Sequence, residues 1–385
     1  MSHIPYGRQS IDNQDINYVC RALKKDLITT GKYVKIFENK ISNFLKAKFA
    51  TVCSSGTSGL HLALIAIDLK KGDSVIMPAI NFIAAYNTAN LMGAKIFLAD
   101  VDPLTGQMTP KTLLECIKNN GLKKIKAIVT MYLGGYPENI SEFYNIKKKL
   151  NCYLIEDACH AFGAKYVFND KCFQVGSCEH SDISVFSLHP VKTITTGEGG
   201  VITTNNKELA KKIILFKSHG IIRNKSYHWK YNVKFSGLNY RLSDINCALG
   251  ISQLKKINKF IKFRKRVFDY YKTELKSLGK IIAFPEYSLK NNPSFHLFLI
   301  SVNFKKIKKN KNDLLNFLKK NKIMAQFHYI PIYKFDLYNK NKFFLKNSEE
   351  YFNNTLSLPI FYNFSFKKQV FVIKILKKYF KKIYN

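Results

Sequence analysis

Between about residues 48 and 205, short apolar runs alternate with stretches whose apolar positions recur every three or four residues. FATVC (49–53), DSVIM (73–77), KIFLAD (95–100), KAIVTMYL (126–133), CYLIED (152–157), DISVFS (182–187) and GVITT (200–204) read as buried strands, and helical patterns fill most of the gaps. This alternation predicts an α/β fold with a mostly parallel seven-stranded sheet and helices on both faces. A long helical pattern follows at about 241–278. HLFLISVNF (296–304), a helix near 312–321, IMAQFHYI (323–330) and two terminal helices then predict a smaller C-terminal α+β unit. The expected division is a large domain with its N-terminal segment at 1–250 and a small domain at 251–385. Ligands of parallel sheets sit outside the carboxyl ends of the strands, so chemistry is to be sought just after each strand.

Three such places stand out. The first strand runs into SSGTSGLHLALIAI, where Gly56 and Gly59 loosen the turn and Thr57 and Ser58 open a helix. Free N–H groups at a helix start bind anions, although the same residues cap many helices that hold no ligand. After CYLIE stands Asp157, in EDACHAFGA; a carboxylate at the end of a buried strand needs a partner, be it an ion pair, a helix cap or a cationic ring nitrogen. After DISVFS come His189, Pro190 and Lys192, then TTGEGG (195–200). A lysine between a buried strand and a tight turn is either an ordinary surface residue or an amine made nucleophilic by desolvation. An anion loop, a strand-end Asp and a strand-end Lys on one sheet edge are together what a pyridoxal phosphate site requires.

Charge alters the picture less than its size suggests. The 385 residues carry 62 Lys and Arg against 26 Asp and Glu, a net charge of +36, which raises nucleic-acid binding as a function. Only six of the basic residues are Arg, and the 19 Lys from 301 onward are scattered through apolar helical patterns, as in KKQVFVIKILKKYFKKIYN. That is a solvated face rather than a phosphate-reading surface, so no nucleic-acid partner is expected. Eight cysteines without a CxxC pair read as reduced thiols; Cys172, Cys178 and His180 are too loosely spaced for a metal, and none is expected. No apolar run approaches the about 18 residues needed to cross a bilayer, and the polar start MSHIPYGRQS is unlike a signal peptide. A cytoplasmic protein without a membrane partner is expected.

The runs SSGTSGLHLAL, PAINFIAAYN, LIEDACHAFGA, FSLHPVKTITTGEGGVITT, SHGI, GLNYRLSDINCALGISQLKK and QFHYIPIY resemble, in order and spacing, the PLP-dependent nucleotide-sugar aminotransferases of the type I (aspartate-aminotransferase) fold. The likeness runs from about residue 4 to past 335. It implies that Lys192 is the Schiff-base lysine and that Asp157 pairs with the pyridinium. It places His160 near the ring hydroxyl and Phe82 stacked on the ring, with Gly56, Thr57, Ser58 and Ser187 around the phosphate. By the same likeness Asn239 reaches the phosphate in the neighbouring subunit, so that a homodimer shares its active sites. Tyr6, the stretch Asp26, Leu27, Ile28 and Thr29, and the run His328, Tyr329, Ile330 and Pro331 match segments that line the substrate cleft. The implied reaction moves the amino group of glutamate to the 4-keto carbon of a UDP-linked 6-deoxy-N-acetylhexosamine, in surface-sugar biosynthesis of the pseudaminic acid kind. Two departures bear on the choice of sugar. PAINF holds three residues between Pro78 and Phe82, one more than expected, and Ser54 stands where Asn is common. Relatives that dehydrate the sugar carry His in place of the lysine, and Lys192 speaks against that chemistry.

Overall fold

The computed structural model describes residues 3–384 apart from 225, 228, 289 and 339–342. Two helices, α1 (Asn13–Leu23) and α2 (Lys32–Leu45), precede the sheet. There follow β1 (Phe49–Cys53), α3 (Gly56–Ala66), β2 (Ser74–Pro78), α4 (Ala84–Leu91), β3 (Lys95–Ala99), α5 (Pro110–Asn119), β4 (Ala127–Met131), α6 (Ile140–Leu150) and β5 (Tyr153–Asp157). A hairpin of β6 (Lys165–Phe168) and β7 (Lys171–Gln174) then intervenes before β8 (Ile183–Ser187), β9 (Gly200–Thr204) and α7 (Lys207–Phe216).

Seven of these strands form one sheet in the order β1-β9-β8-β5-β4-β2-β3. Only β9 runs against the rest, being antiparallel to both β1 and β8, while the other pairings are parallel. All seven expected strands form, within a residue or two of their expected bounds, and inner strands such as β4 and β9 are short apolar runs that both sheet faces bury. Asp157 pairs with Met131 on one side and Val185 on the other, so β4 and β5 end level while β8 runs two residues further, to Ser187.

A second hairpin, β10 (Ile221–Arg223) and β11 (Tyr231–Val233), leads to α8 (Asp244–Lys255) and α9 (Ile257–Leu275). The helical pattern at 241–278 is thus two helices, with Ser243 capping the first and a break at Lys256, whose amine pairs with Asp12 and Asp15 at 2.9 and 2.6 Å. Beyond them β12 (Ile282–Ala283), β13 (Phe298–Val302) and, after α10 (Lys311–Lys320) and α11 (Lys346–Asn354), β14 (Thr355–Leu358) make a three-stranded antiparallel sheet, and α12 (Phe366–Tyr384) closes the chain. The expected α10 and the two terminal helices are present. IMAQFHYI contributes only bridge pairings, Ile323 with Ile4 and Gln326 with Ser357.

The second sheet packs on α9, α10 and α12 around Phe298, Ile300, Leu314 and Leu376, and Ile4 of the N-terminal segment is buried in the same core. The hairpin at 165–174 was hidden in the apolar pattern. Its signal is the pair Asn169 and Asp170, both at positive φ, which two-residue hairpin turns favour.

Candidate functional site

A cleft of about 610 Å³ opens over the carboxyl ends of the sheet strands. Its floor begins where β1 ends. Ser55 caps α3, its Oγ accepting the Ser58 N–H at 3.1 Å while the Ser58 hydroxyl accepts the Ser55 N–H at 2.9 Å. Ser58 is therefore buried in the cap, and it is Ser55, Gly56 and Thr57 that face the cleft, with the N–H groups a helix start leaves free. Gly56 is favoured by close approach: a Cβ there would stand 3.0 Å from Ser187 Cβ and 3.2 Å from Cys159 Sγ. Ser187, at the end of β8, lines the same wall.

Asp157 closes β5 and is 3% exposed. Burial pushes its carboxyl above the usual range, and the Cys159 N–H, donating at 3.3 Å, and the charge of Lys192 pull it back. Lys192 lies in the turn after β8, its N–H donating to the His189 carbonyl at 2.9 Å. Burial draws its amine below the usual lysine range, against the opposing pull of Cys159 and Asp157. Nζ makes no hydrogen bond or ion pair with any described residue. A desolvated amine without a partner is poised to react, since its neutral form is the nucleophile.

The other wall is aromatic. Phe82, just before α4, is 52% exposed and projects into the cleft 5.8 Å from the Tyr329 ring. His160 is buried, its Nδ1 accepting the Gly134 N–H at 3.3 Å, which places the ring proton on Nε2 and makes that nitrogen the donor to Tyr329 Oη at 3.0 Å. Burial holds His160 well below the usual histidine range, helped by the nearby charge of Lys192, so the ring is neutral. His328 is fixed by Ser357 Oγ at 2.7 Å, faces Tyr6 at 5.5 Å, and burial pulls it down to about 3.

Of the residues singled out in the sequence, the structure gathers Tyr6, Gly56, Thr57, Phe82, Asp157, His160, Ser187, Lys192, His328 and Tyr329 in one cleft. Ile330 and Pro331 follow it in the chain without lining it. Asp26, Leu27, Ile28 and Thr29 are exposed and join the start of α8 instead, through the Ile28 carbonyl, which accepts the Asp244 N–H at 3.0 Å, and a bridge from Thr29 to Ser243. Asn239 is exposed beside Ser218 and does not reach the cleft of its own chain. Cys159, Glu198, Gln326 and Phe327 also line the cleft and were not singled out. All four lie inside the quoted motifs, Gln326 and Phe327 opening the run QFHYIPIY, but none of them was given a role there. No cluster of His, Cys, Asp or Glu suited to a metal ion occurs among the described residues, and Cys178 is engaged instead with Thr203 and Ser184.

The residues present fit pyridoxal phosphate: a glycine-made cradle at a helix start, an exposed phenyl ring, a buried carboxylate and an unpartnered amine share one cavity. The fold and this cleft define a pyridoxal phosphate-dependent aminotransferase. The chain belongs to the DegT/DnrJ/EryC1/StrS aminotransferase family, whose sequence profile matches residues 9–377, and the cofactor of these aminotransferases is pyridoxal phosphate. It is 37% identical over 374 residues, 96% of this chain and 95% of the relative, to the UDP-4-amino-4,6-dideoxy-N-acetyl-β-L-altrosamine transaminase of Campylobacter jejuni subsp. jejuni serotype O:23/36 (strain 81-176). It is 30% identical over 381 residues, 99% of each chain, to the GDP-perosamine synthase of Escherichia coli O157:H7. Among solved structures it is similar to Helicobacter pylori PseC, an aminotransferase involved in the biosynthesis of pseudoaminic acid, with a TM-score of 0.88 and 30% identity over 99% of this chain and 100% of that one.

Proposed function

We propose that this enzyme transfers the amino group of glutamate to the 4-keto carbon of a UDP-linked 6-deoxy-N-acetylhexosamine, in the pseudaminic acid branch of surface-sugar biosynthesis. The observation that carries the proposal is Lys192, a desolvated amine without a hydrogen bond or ion pair among the described residues, in the same cavity as Asp157 and the start of α3. The choice of sugar is supported by the 37% identity to the Campylobacter jejuni transaminase and by the likeness to PseC.

Pyridoxal phosphate, when bound, supplies an electrophilic aldehyde carbon and a ring that withdraws electrons. Lys192 would hold it covalently, Asp157 would face its ring nitrogen, Gly56, Thr57 and Ser187 its phosphate, and Phe82 the flat of its ring. Burial works against the charge of Asp157, and the Cys159 N–H and Lys192 only partly offset it. As the general base of both halves, Lys192 Nζ would take the proton from the amino donor's α-carbon in the first and deliver a proton to C4 of the sugar in the second. Neutral His160 holds Tyr329 by donating to its hydroxyl oxygen, which leaves the Tyr329 proton for an oxygen of the substrate.

The same reading makes the enzyme a cytoplasmic homodimer. Asn239 and the stretch 26–29 would act in the partner's cleft, in keeping with their exposure and their distance from the cleft of their own chain. No helix of the described residues is long and apolar enough to cross a membrane. A large part at 1–250 and a small part at 251–385 belong to the proposal, supported by the separate core around α9, α10 and α12.

Incubation with glutamate and a panel of UDP-, GDP- and dTDP-linked 4-keto-6-deoxy sugars, with 2-oxoglutarate as the readout, tests the substrate. Turnover is expected with the UDP-linked N-acetylated sugar. Turnover confined to a GDP- or dTDP-sugar would overturn the assignment.

A further inference from the structure

Asp157 is thinly served for a buried carboxylate. Among the described residues its carboxylate accepts one hydrogen bond, the long one from the Cys159 N–H, 3.3 Å. Such groups ordinarily collect two or three donors when they must stay charged. Close by lies a donor with nothing to do. Asn81, in the PAINF run whose length departs from expectation, is 1% exposed. Its Oδ1 accepts the Phe82 N–H at 2.7 Å, so the amide cannot flip without losing that bond. Nδ2 is thereby turned the other way, buried and without a hydrogen-bond partner among the described residues. The Asn81 side chain is also near enough to Asp157 to favour its charged form.

We propose that Asn81 is a positioning residue for Asp157: its Nδ2 donates to the carboxylate and holds it charged and oriented toward the cofactor's ring nitrogen. The Oδ1 bond sets the Phe82 backbone from the same side chain, so one amide aligns both the anion at the edge of the ring and the phenyl ring on its face. This rests on the assignment of Asp157 made above, and the experiment separates the two.

The informative substitution is Asn81→Asp. It keeps the shape of the side chain and the acceptor for Phe82, and exchanges only the NH2 group for an oxygen. At pH 8 the new carboxylate repels Asp157, and the affinity for pyridoxal phosphate, measured by fluorescence titration of the apoenzyme, is expected to fall about tenfold to a hundredfold, the range for a lost hydrogen bond to a charged group. The loss should shrink as pH falls toward 6, where a protonated carboxyl can donate in place of the amide. Asn81→Ser, which retains a donor, should lose less. In an Asp157→Asn background the Asn81→Asp change should cost under about threefold, because the group it acts through is gone.

An Asn81→Asp protein with wild-type cofactor affinity and a wild-type absorbance titration overturns the inference. So does a loss that is equal at every pH or persists without Asp157, since each marks a merely structural residue. An Asp157→Asn variant that binds cofactor like the wild type would instead bring down the assignment of Asp157, and this inference with it.

Discussion

Gly135→Ala probes the support behind His160. Gly135 has φ of 89°, and a Cβ built on it would stand 2.6 Å from the His160 carbonyl oxygen and inside the van der Waals envelope of Ser294 Oγ. That methyl would be driven into the hydrogen bond that Ser294 Oγ donates to the same carbonyl at 2.7 Å. Adopting the left-handed conformation costs a non-glycine residue about 1–2 kcal/mol, and forcing a methyl into a packed site costs about 1–3 kcal/mol. Together these predict a destabilisation of about 2–5 kcal/mol. An unfolding entropy of about 2.1 cal/mol/K per residue amounts to about 0.8 kcal/mol/K for a chain of this length, so the melting midpoint should drop by about 3–6 °C.

Ser294→Ala alone removes one hydrogen bond and should cost about 1 kcal/mol. It also empties the space the new methyl needs. The double variant should therefore be more stable than the sum of the single losses predicts, by about 1 kcal/mol or more. Thermal melts of the four proteins read this cycle, and cofactor affinity read alongside should fall in Gly135→Ala, because the displaced segment carries His160 in the cleft wall. A Gly135→Ala protein melting within a degree of wild type, or strictly additive losses, would refute the packing derived from these distances.

Three further outcomes follow from the site. Lys192→Ala should abolish both the yellow absorbance of the holoenzyme and amination; retained amination would remove Lys192 from the mechanism. Since burial lowers the amine's pKa, the rate at which apoenzyme bonds pyridoxal phosphate should rise with pH and level off below the ordinary lysine value of about 10.4, whereas a rate still climbing tenfold per unit at pH 10 would contradict the desolvation seen at Nζ. His328 is held down to about 3, so it stays neutral across the working range and should place no inflection in the pH profile of kcat between 5 and 9. An acid limb lost in His328→Gln would show that it titrates there.

Much of the cleft was legible in the chain because three of its parts follow buried strands at once: Gly56 after β1, Asp157 at the end of β5, Lys192 in the turn after β8. Chain topology brings strand ends together, so residues far apart in sequence become neighbours with no pairwise signal between them. What lay outside the strand ends was legible only through the family likeness, which marked Tyr6, His328 and Tyr329 and left the neighbouring Gln326 and Phe327 without a role. Gln326 and Phe327 reach the cleft from an irregular segment, held by the exchange of backbone hydrogen bonds between Gln326 and Ser357. The Gly134 and Gly135 pair follows a strand, yet its importance comes from the approach of Ser294 and His296, more than 150 residues away. Arg264 is the starkest case. It reads as one more cation on a basic helix, but it is buried, brought down to about 10 by burial, and donates to the carbonyls of His296, Ile360 and Val191, the last adjoining Lys192.

The assignment of Lys192 and Asp157 to one cofactor is tested most directly by reducing the pyridoxal phosphate-loaded enzyme with borohydride and locating the modified peptide by mass. The expected result is a single phosphopyridoxyl group on Lys192 in the wild type, with reduced occupancy in Asp157→Asn. A label on any other lysine, or none on a protein that still aminates its sugar, would contradict it.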